Sequence, residues 1–180
     1  MNRAKPRTKT LSFGRSILYG WLVVGTLDGM DAMIVSIVRG SNPARMWRGV
    51  ASGLLGPAAA TGGLPVSFLG VCIHFFIALC VVTVFHLVSR RFKVLAQYPF
   101  IFGPIYGLLV YLFMYRVVMP LSAIGAVGRF VWPRSINDLA IHAFGVGLPS
   151  AWFASRSVGA GARDEDLARS GGGRRAPTLA

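Results

Sequence analysis

The sequence predicts an all-α membrane protein: four transmembrane helices, with a re-entrant or interfacial segment before the second. Three observations predict it. Of 180 residues, 54% are apolar and only 14% charged, where a soluble domain carries about 25%. Two long stretches, Gly49–Ser89 and Val94–Tyr115, contain no Asp, Glu, Lys or Arg. The basic residues gather at the two ends and in the breaks between apolar runs. An ordinary soluble enzyme and a disordered chain are both poor fits to that pattern.

A helix needs roughly 20 apolar residues to cross the hydrocarbon layer. The first span is read at Ser16–Val38, the second at Val66–Val88, the third at Tyr98–Pro120 and the fourth at Ile136–Phe153. Residues 1–15 form a basic arm, 16–155 the membrane domain and 156–180 a tail. The half of the uncharged stretch before Val66 (SGLLGPAAATGGLP) is Gly-rich and broken by Pro57 and Pro65. It reads as interfacial or re-entrant, since irregular backbone at membrane depth survives only under cover of protein or water. A surface loop with a short helix is the plainer reading. Residues 1–30 could also pass for a secretory signal. Their apolar core is long for one, holds Asp28 and lacks a small-x-small cleavage site, so a retained span is expected.

Orientation follows from charge. The arm, the loop between spans two and three and the tail hold 13 Lys and Arg; the two remaining loops hold 5. Loop cations prefer the cytoplasm, so both termini are expected inside, in a multi-pass protein of the cytoplasmic membrane. The bilayer and its anionic head groups are the expected partners of the arm and tail. Nucleic acid is not expected, because the tail interleaves no aromatics. Its Gly, Ser, Ala and Arg composition predicts disorder. Trp47 and Trp132 are expected at the outer interface, Trp21 and Trp152 at the inner one.

Ionisable side chains inside spans are costly, about 2.5–3.5 kcal/mol each at the centre on the insertion scale. Asp28 and Asp31 share a face of the first span, being three apart. His74 lies in the second span, Arg116 towards the end of the third, and Asp138 and His142 open the fourth. Their depths place all of them in the outer half of the bundle. One interior cluster of Asp28, Asp31, His74, Arg116 and His142 is expected, with Asp138 at its rim and His86 apart near the inner end. Such a set can relay protons or ions, because imidazoles titrate near neutrality. It can equally be a structural network in which Arg116 neutralises an aspartate. The ligand types of Asp28, Asp31, His74 and His142 would also suit a metal, and His74 with His142 a haem. No tight metal signature accompanies them, and no cofactor is expected.

Gly25-x-x-x-Gly29 and Gly103-x-x-x-Gly107 allow close helix approach. The first pair flanks Asp28, so a neighbouring helix could reach that carboxylate. Pro120 and Pro149 are expected to bend or end their helices. Cys72 and Cys80, eight apart, sit about 12 Å apart along one helix and cannot bridge each other. The segment DGMDA resembles the start of the acidic motif of the CDP-alcohol phosphotransferases. The second aspartate pair of that motif is missing, since the next acidic residue after Asp31 is Asp138.

The segments LDGMDAMIVSIVRG, GGLPVSFLGVCIHFFIAL, YGLLVYLFMYRVVMPLSA and INDLAIHAFGVGLP resemble a group of uncharacterised small four-span bacterial inner-membrane proteins. More remotely, His74, the Pro120-Leu121 pair and His142 resemble the YagU-like inner-membrane family. Asp28 and Asp31 fall outside that match. The resemblance implies a bacterial inner-membrane location and, through the second family, a link to acid tolerance. The expected role is a non-enzymatic membrane protein that handles protons or ions, with a homo-oligomer able to enclose a path that one small protomer cannot.

Overall fold

The structure, a computed structural model, describes residues 11–125, 132 and 134–157. The basic arm up to residue 10 and the tail from residue 158 lie outside the described residues. Every described regular element is helical. Helix α1 is Phe13–Val38, α2 is Pro43–Leu55, α3 is Leu64–Arg91 and α4 is a single turn, Val94–Gln97. Helix α5 runs Pro99–Leu121. Helix α6 begins as Arg134–Ala140 and continues without a break through 157. Three of these, α1, α3 and α5, are long and apolar enough to cross a bilayer. At 1.5 Å per residue, the 26 residues of α1 reach about 39 Å.

Local chemistry sets the boundaries. Helix α1 ends in a Schellman turn: Gly40 takes φ +70, its N–H bonds the Ile37 carbonyl and the Ser41 N–H bonds the Ser36 carbonyl. Asn42 then caps α2, its side chain accepting from the Ala44 N–H at 2.7 Å, with Pro43 in the first turn. The segment expected to be interfacial or re-entrant from about Gly49 therefore starts earlier. It is helix α2 followed by a 3-10 turn, Gly56–Thr61. The signal for that start is the Asn42-Pro43 pair, followed by apolar residues at helical spacing (Met46, Trp47, Val50, Ala51, Leu54).

Around the bundle the order is α5, α6, α1, α3. Helix α2 lies along the start of α3, and its Gly53 carbonyl accepts from the Ala123 N–H just past α5. It thus roofs one end of the bundle, and α4 lies at the other. Helices α3 and α5, neighbours in sequence, barely approach each other's backbone. One core is Val24, Ala78, Val82 and Val146, between α1, α3 and α6. A second, nearer α4, is Phe85, Ala151 and Ala154. The outward faces carry large apolar side chains such as Phe68 and Phe100, each about 70% exposed, a surface that fits lipid and not water.

Glycine governs the closest approach. A Cβ on Gly107 would fall on the His142 carbonyl, and one on Gly147 would fall on the Gly103 carbonyl. The Gly103/Gly107 motif is thus the seat of α6 on α5.

Both α5 and α6 contain π-helical turns, Met114–Val118 and Ile141–Gly147. Each ends two residues before a proline, Pro120 or Pro149. A helical proline lacks an N–H and crowds the carbonyl four residues back, and a widened turn at that place relieves the crowding. Pro120 sits at its helix end as expected. Pro149 does not end or break α6, because the π turn absorbs it.

Candidate functional site

Asp28, His74 and His142 line one cavity near the α2 end, and Asp31 lies within electrostatic range of Asp28, Asp138 and His142. The 1.5 Å rise puts Asp28, His74 and His142 about 12–15 Å in from that end of their helices. The Gly25–Gly29 face of α1 admits the His74 ring: a Cβ on Gly29 would stand 3.1 Å from its Nε2. His74 Nε2 lies 2.8 Å from the Gly25 carbonyl oxygen. That oxygen can only accept, so Nε2 carries the proton and donates. Nδ1 then faces Asp28 Oδ2 at 3.9 Å. The side chains of His74 and Asp28 are 13% and 28% exposed, so the pair is only partly shielded.

His142 repeats the device on α6. Its Nδ1 donates to the Asp138 carbonyl at 2.7 Å, which leaves Nε2 as the unsaturated nitrogen. Tyr111 packs edge-on against the ring at 5.5 Å between centroids. Trp47 from α2 packs likewise on His74 at 5.4 Å.

The other two carboxylates are latched between helices. Asn137 of α6 donates its amide to Asp31 Oδ2 at 2.9 Å. Tyr115 of α5 donates its hydroxyl to Asp138 Oδ2 at 3.1 Å. Asp28, Asp138 and His142 all lie within electrostatic range of Asp31. Sequence reasoning missed Asn137 and Tyr115. Asn137 was legible as the neighbour of Asp138 in a span otherwise apolar. Tyr115 was hidden by the π turn that aims it.

Arg116 does not join. Expected inside the cluster as the neutralising cation, it is exposed on the π turn of α5. Depth along a span fixes no direction, and a π turn, which holds more residues than an α turn, changes the direction of the side chains on it. A guanidinium near a helix end also gains by reaching outward to polar surroundings. The metal reading meets a similar fate. Among the described residues, no group of three or more His, Cys, Asp or Glu stands close enough to hold an ion.

Asp28, His74 and His142 are the ionisable residues in the wall of a cavity of about 620 Å³. The rest is almost wholly apolar, contributed chiefly by α3 and α5, with α2 as roof.

His86 is a separate centre near α4, fully buried. Its Nδ1 bonds the Val82 carbonyl at 2.8 Å and its Nε2 meets Ser16 Oγ at 3.0 Å. The Ser16 hydroxyl has a single proton, given either to this nitrogen or to the Phe153 carbonyl. Both ring nitrogens are engaged, so this histidine ties α1, α3 and α6 together. Two tryptophans make contacts within the bundle. Trp21 turns inward to donate to the Phe75 carbonyl at 2.7 Å, and Trp47 lies against Gly29 and His74. Trp152 stays exposed, under the Arg156 guanidinium at 3.9 Å. Cys72 and Cys80 are exposed and unbridged.

No family model, curated protein or solved structure matches the chain. Its own residues show a multi-pass helical membrane protein.

Proposed function

We propose that this protein takes up and releases protons at an intramembrane site built on Asp28 and His74, and so passes protons or small cations through part of the bilayer. In this reading α6 is the fourth span, both termini are cytoplasmic, and the membrane is the bacterial inner membrane. The distribution of Lys and Arg supports the orientation. The resemblance to small bacterial inner-membrane proteins supports the location.

One observation carries the reading. The Gly25 carbonyl holds the His74 ring so that its unprotonated nitrogen faces the Asp28 carboxylate across 3.9 Å at a cavity wall. A single proton can rest on either group, and the partly open wall gives it a way in and out. A His–carboxylate pair kept only for packing is better served by a closed hydrogen bond, such as the one His86 makes with Ser16.

A structural reading has its own support. The Asp31–Asn137 and Asp138–Tyr115 bonds pin α6 to α1 and α5, as polar side chains do between membrane helices. One experiment separates the two. Purified protein in liposomes loaded with a pH-sensitive dye should dissipate an imposed pH gradient, and Asp28→Asn should stop it. Absence of flux from folded protein, with the substitution lowering only thermal stability, would leave the structural reading in place.

A further inference from the structure

We infer that the cavity beside Asp28 binds a lipophilic organic cation, with its apolar body between α3 and α5 and its charge on the Asp28 carboxylate. The inference rests on the site proposed above and names what the site takes besides a proton.

Size and lining come first. About 620 Å³ falls within the range of small-molecule pockets, about 300–1,000 Å³. Ile77 and Val81 of α3 and Val110, Met114 and Val118 of α5 face it. Methionine adapts readily to differently shaped guests. The ionisable groups on the wall are few: Asp28, His74 and His142. A guest must therefore be mostly apolar, with one polar end.

Access is from the bilayer. Helices α3 and α5 meet at Tyr106, whose hydroxyl donates to the Val81 carbonyl at 2.7 Å and whose ring packs on Phe85 at 4.9 Å. Further towards α2 their backbones do not pack, and the cavity wall is drawn from both. Phe76 lines it while 65% exposed on the lipid side. A molecule already dissolved among acyl chains reaches the Asp28 wall through this gap without crossing water.

Charge decides the sign. Asp28 faces His74 on α3, while Asp31 on its own helix has Asp138 and His142 of α6 within electrostatic range. From α5, Arg116 is exposed, and from α2, Arg48 is not part of the lining. The lining thus offers one carboxylate and two imidazoles and no fixed cation, which disfavours fatty acids and other anions. A carboxylate on a mostly apolar wall is complementary to a positive partner. Proton and organic cation are alternative partners for the same oxygen atoms, so they compete.

The test uses the full chain in nanodiscs of phosphatidylcholine, with tetraphenylphosphonium as the probe and equilibrium dialysis as the readout. Binding should saturate near one probe per chain at pH 8. It should weaken roughly tenfold or more in Asp28→Asn, as expected for loss of one charge pair. Ile77→Trp, which fills the cavity, should weaken it too. Neutral triphenylphosphine oxide should bind far less. Equal binding of the neutral probe, or indifference to Asp28→Asn, would make the cavity an apolar lipid pocket and overturn the inference. Absence of saturable binding in protein that still moves protons through Asp28 would overturn the inference alone. Loss of both activities from folded wild-type protein would overturn the site as well.

Discussion

His74 donates its Nε2–H to the Gly25 carbonyl across the α1–α3 contact, at 2.8 Å. This bond fixes the tautomer and turns Nδ1 towards Asp28. It is available because Gly29 leaves no side chain in the way of the ring.

His74→Gln should separate the two jobs of this ring. A glutamine amide can still donate to the Gly25 carbonyl but offers no titrating nitrogen. Thermal unfolding in detergent should shift by no more than about 1 kcal/mol, the worth of an ordinary hydrogen bond. Proton flux in liposomes should fall to background. Retained flux would place the titrating group elsewhere.

Asp28→Asn and Asp31→Asn should differ. Asp31 already pairs with an amide, Asn137, and an asparagine there keeps an acceptor oxygen for it. Flux should persist in Asp31→Asn at a reduced rate and vanish in Asp28→Asn. Equal loss in both would mean the carboxylates act as one unit.

Gly107→Ala should destabilise the bundle by about 1–3 kcal/mol, the usual cost of overpacking, because its methyl group would meet the His142 carbonyl. Gly14→Ala is the control. Its Cβ would meet nothing, and alanine is the better helix former by roughly 1 kcal/mol. Thermal melts of the two variants should move in opposite directions.

Ser16→Ala should cost about 1–3 kcal/mol by leaving the buried His86 Nε2 without a partner. Flux per folded molecule should stay unchanged, since this centre lies at the far end from Asp28. A large loss of flux would connect the two ends.

Topology can be read with single cysteines in a background lacking Cys72 and Cys80. A membrane-impermeant maleimide should label Arg39→Cys from outside intact cells, and Lys93→Cys only after permeabilisation. The reverse pattern would invert the orientation.

Much of the fold was open to reading because membrane helices obey a simple rule of length and polarity. The span read at Val66–Val88 is the inner part of α3, and the one read at Tyr98–Pro120 differs from α5 by a residue at each end. The interior polar residues were visible for the same reason: each stands out against apolar neighbours. What could not be read was direction. Arg116 was placed inside by depth alone, and depth does not say which way a side chain on the π turn points. The roofing role of α2 and the inward turn of Trp21 and Trp47 depend on which helices meet, and composition is silent on that. The same holds for the Ser16–His86 bond, which joins residues 70 apart.

Pro149 has a reach its position does not suggest. The wide turn it imposes upstream contains His142. Pro149→Ala would restore a main-chain bond and let α6 wind regularly. Losing one residue's worth of slack swings the flank before the turn by about 100°. The molecule would become sturdier and its imidazole would point at a neighbour's flank instead of the hollow. An imperfection in the rod, held in place by an imino acid two turns away, is what aims the ring.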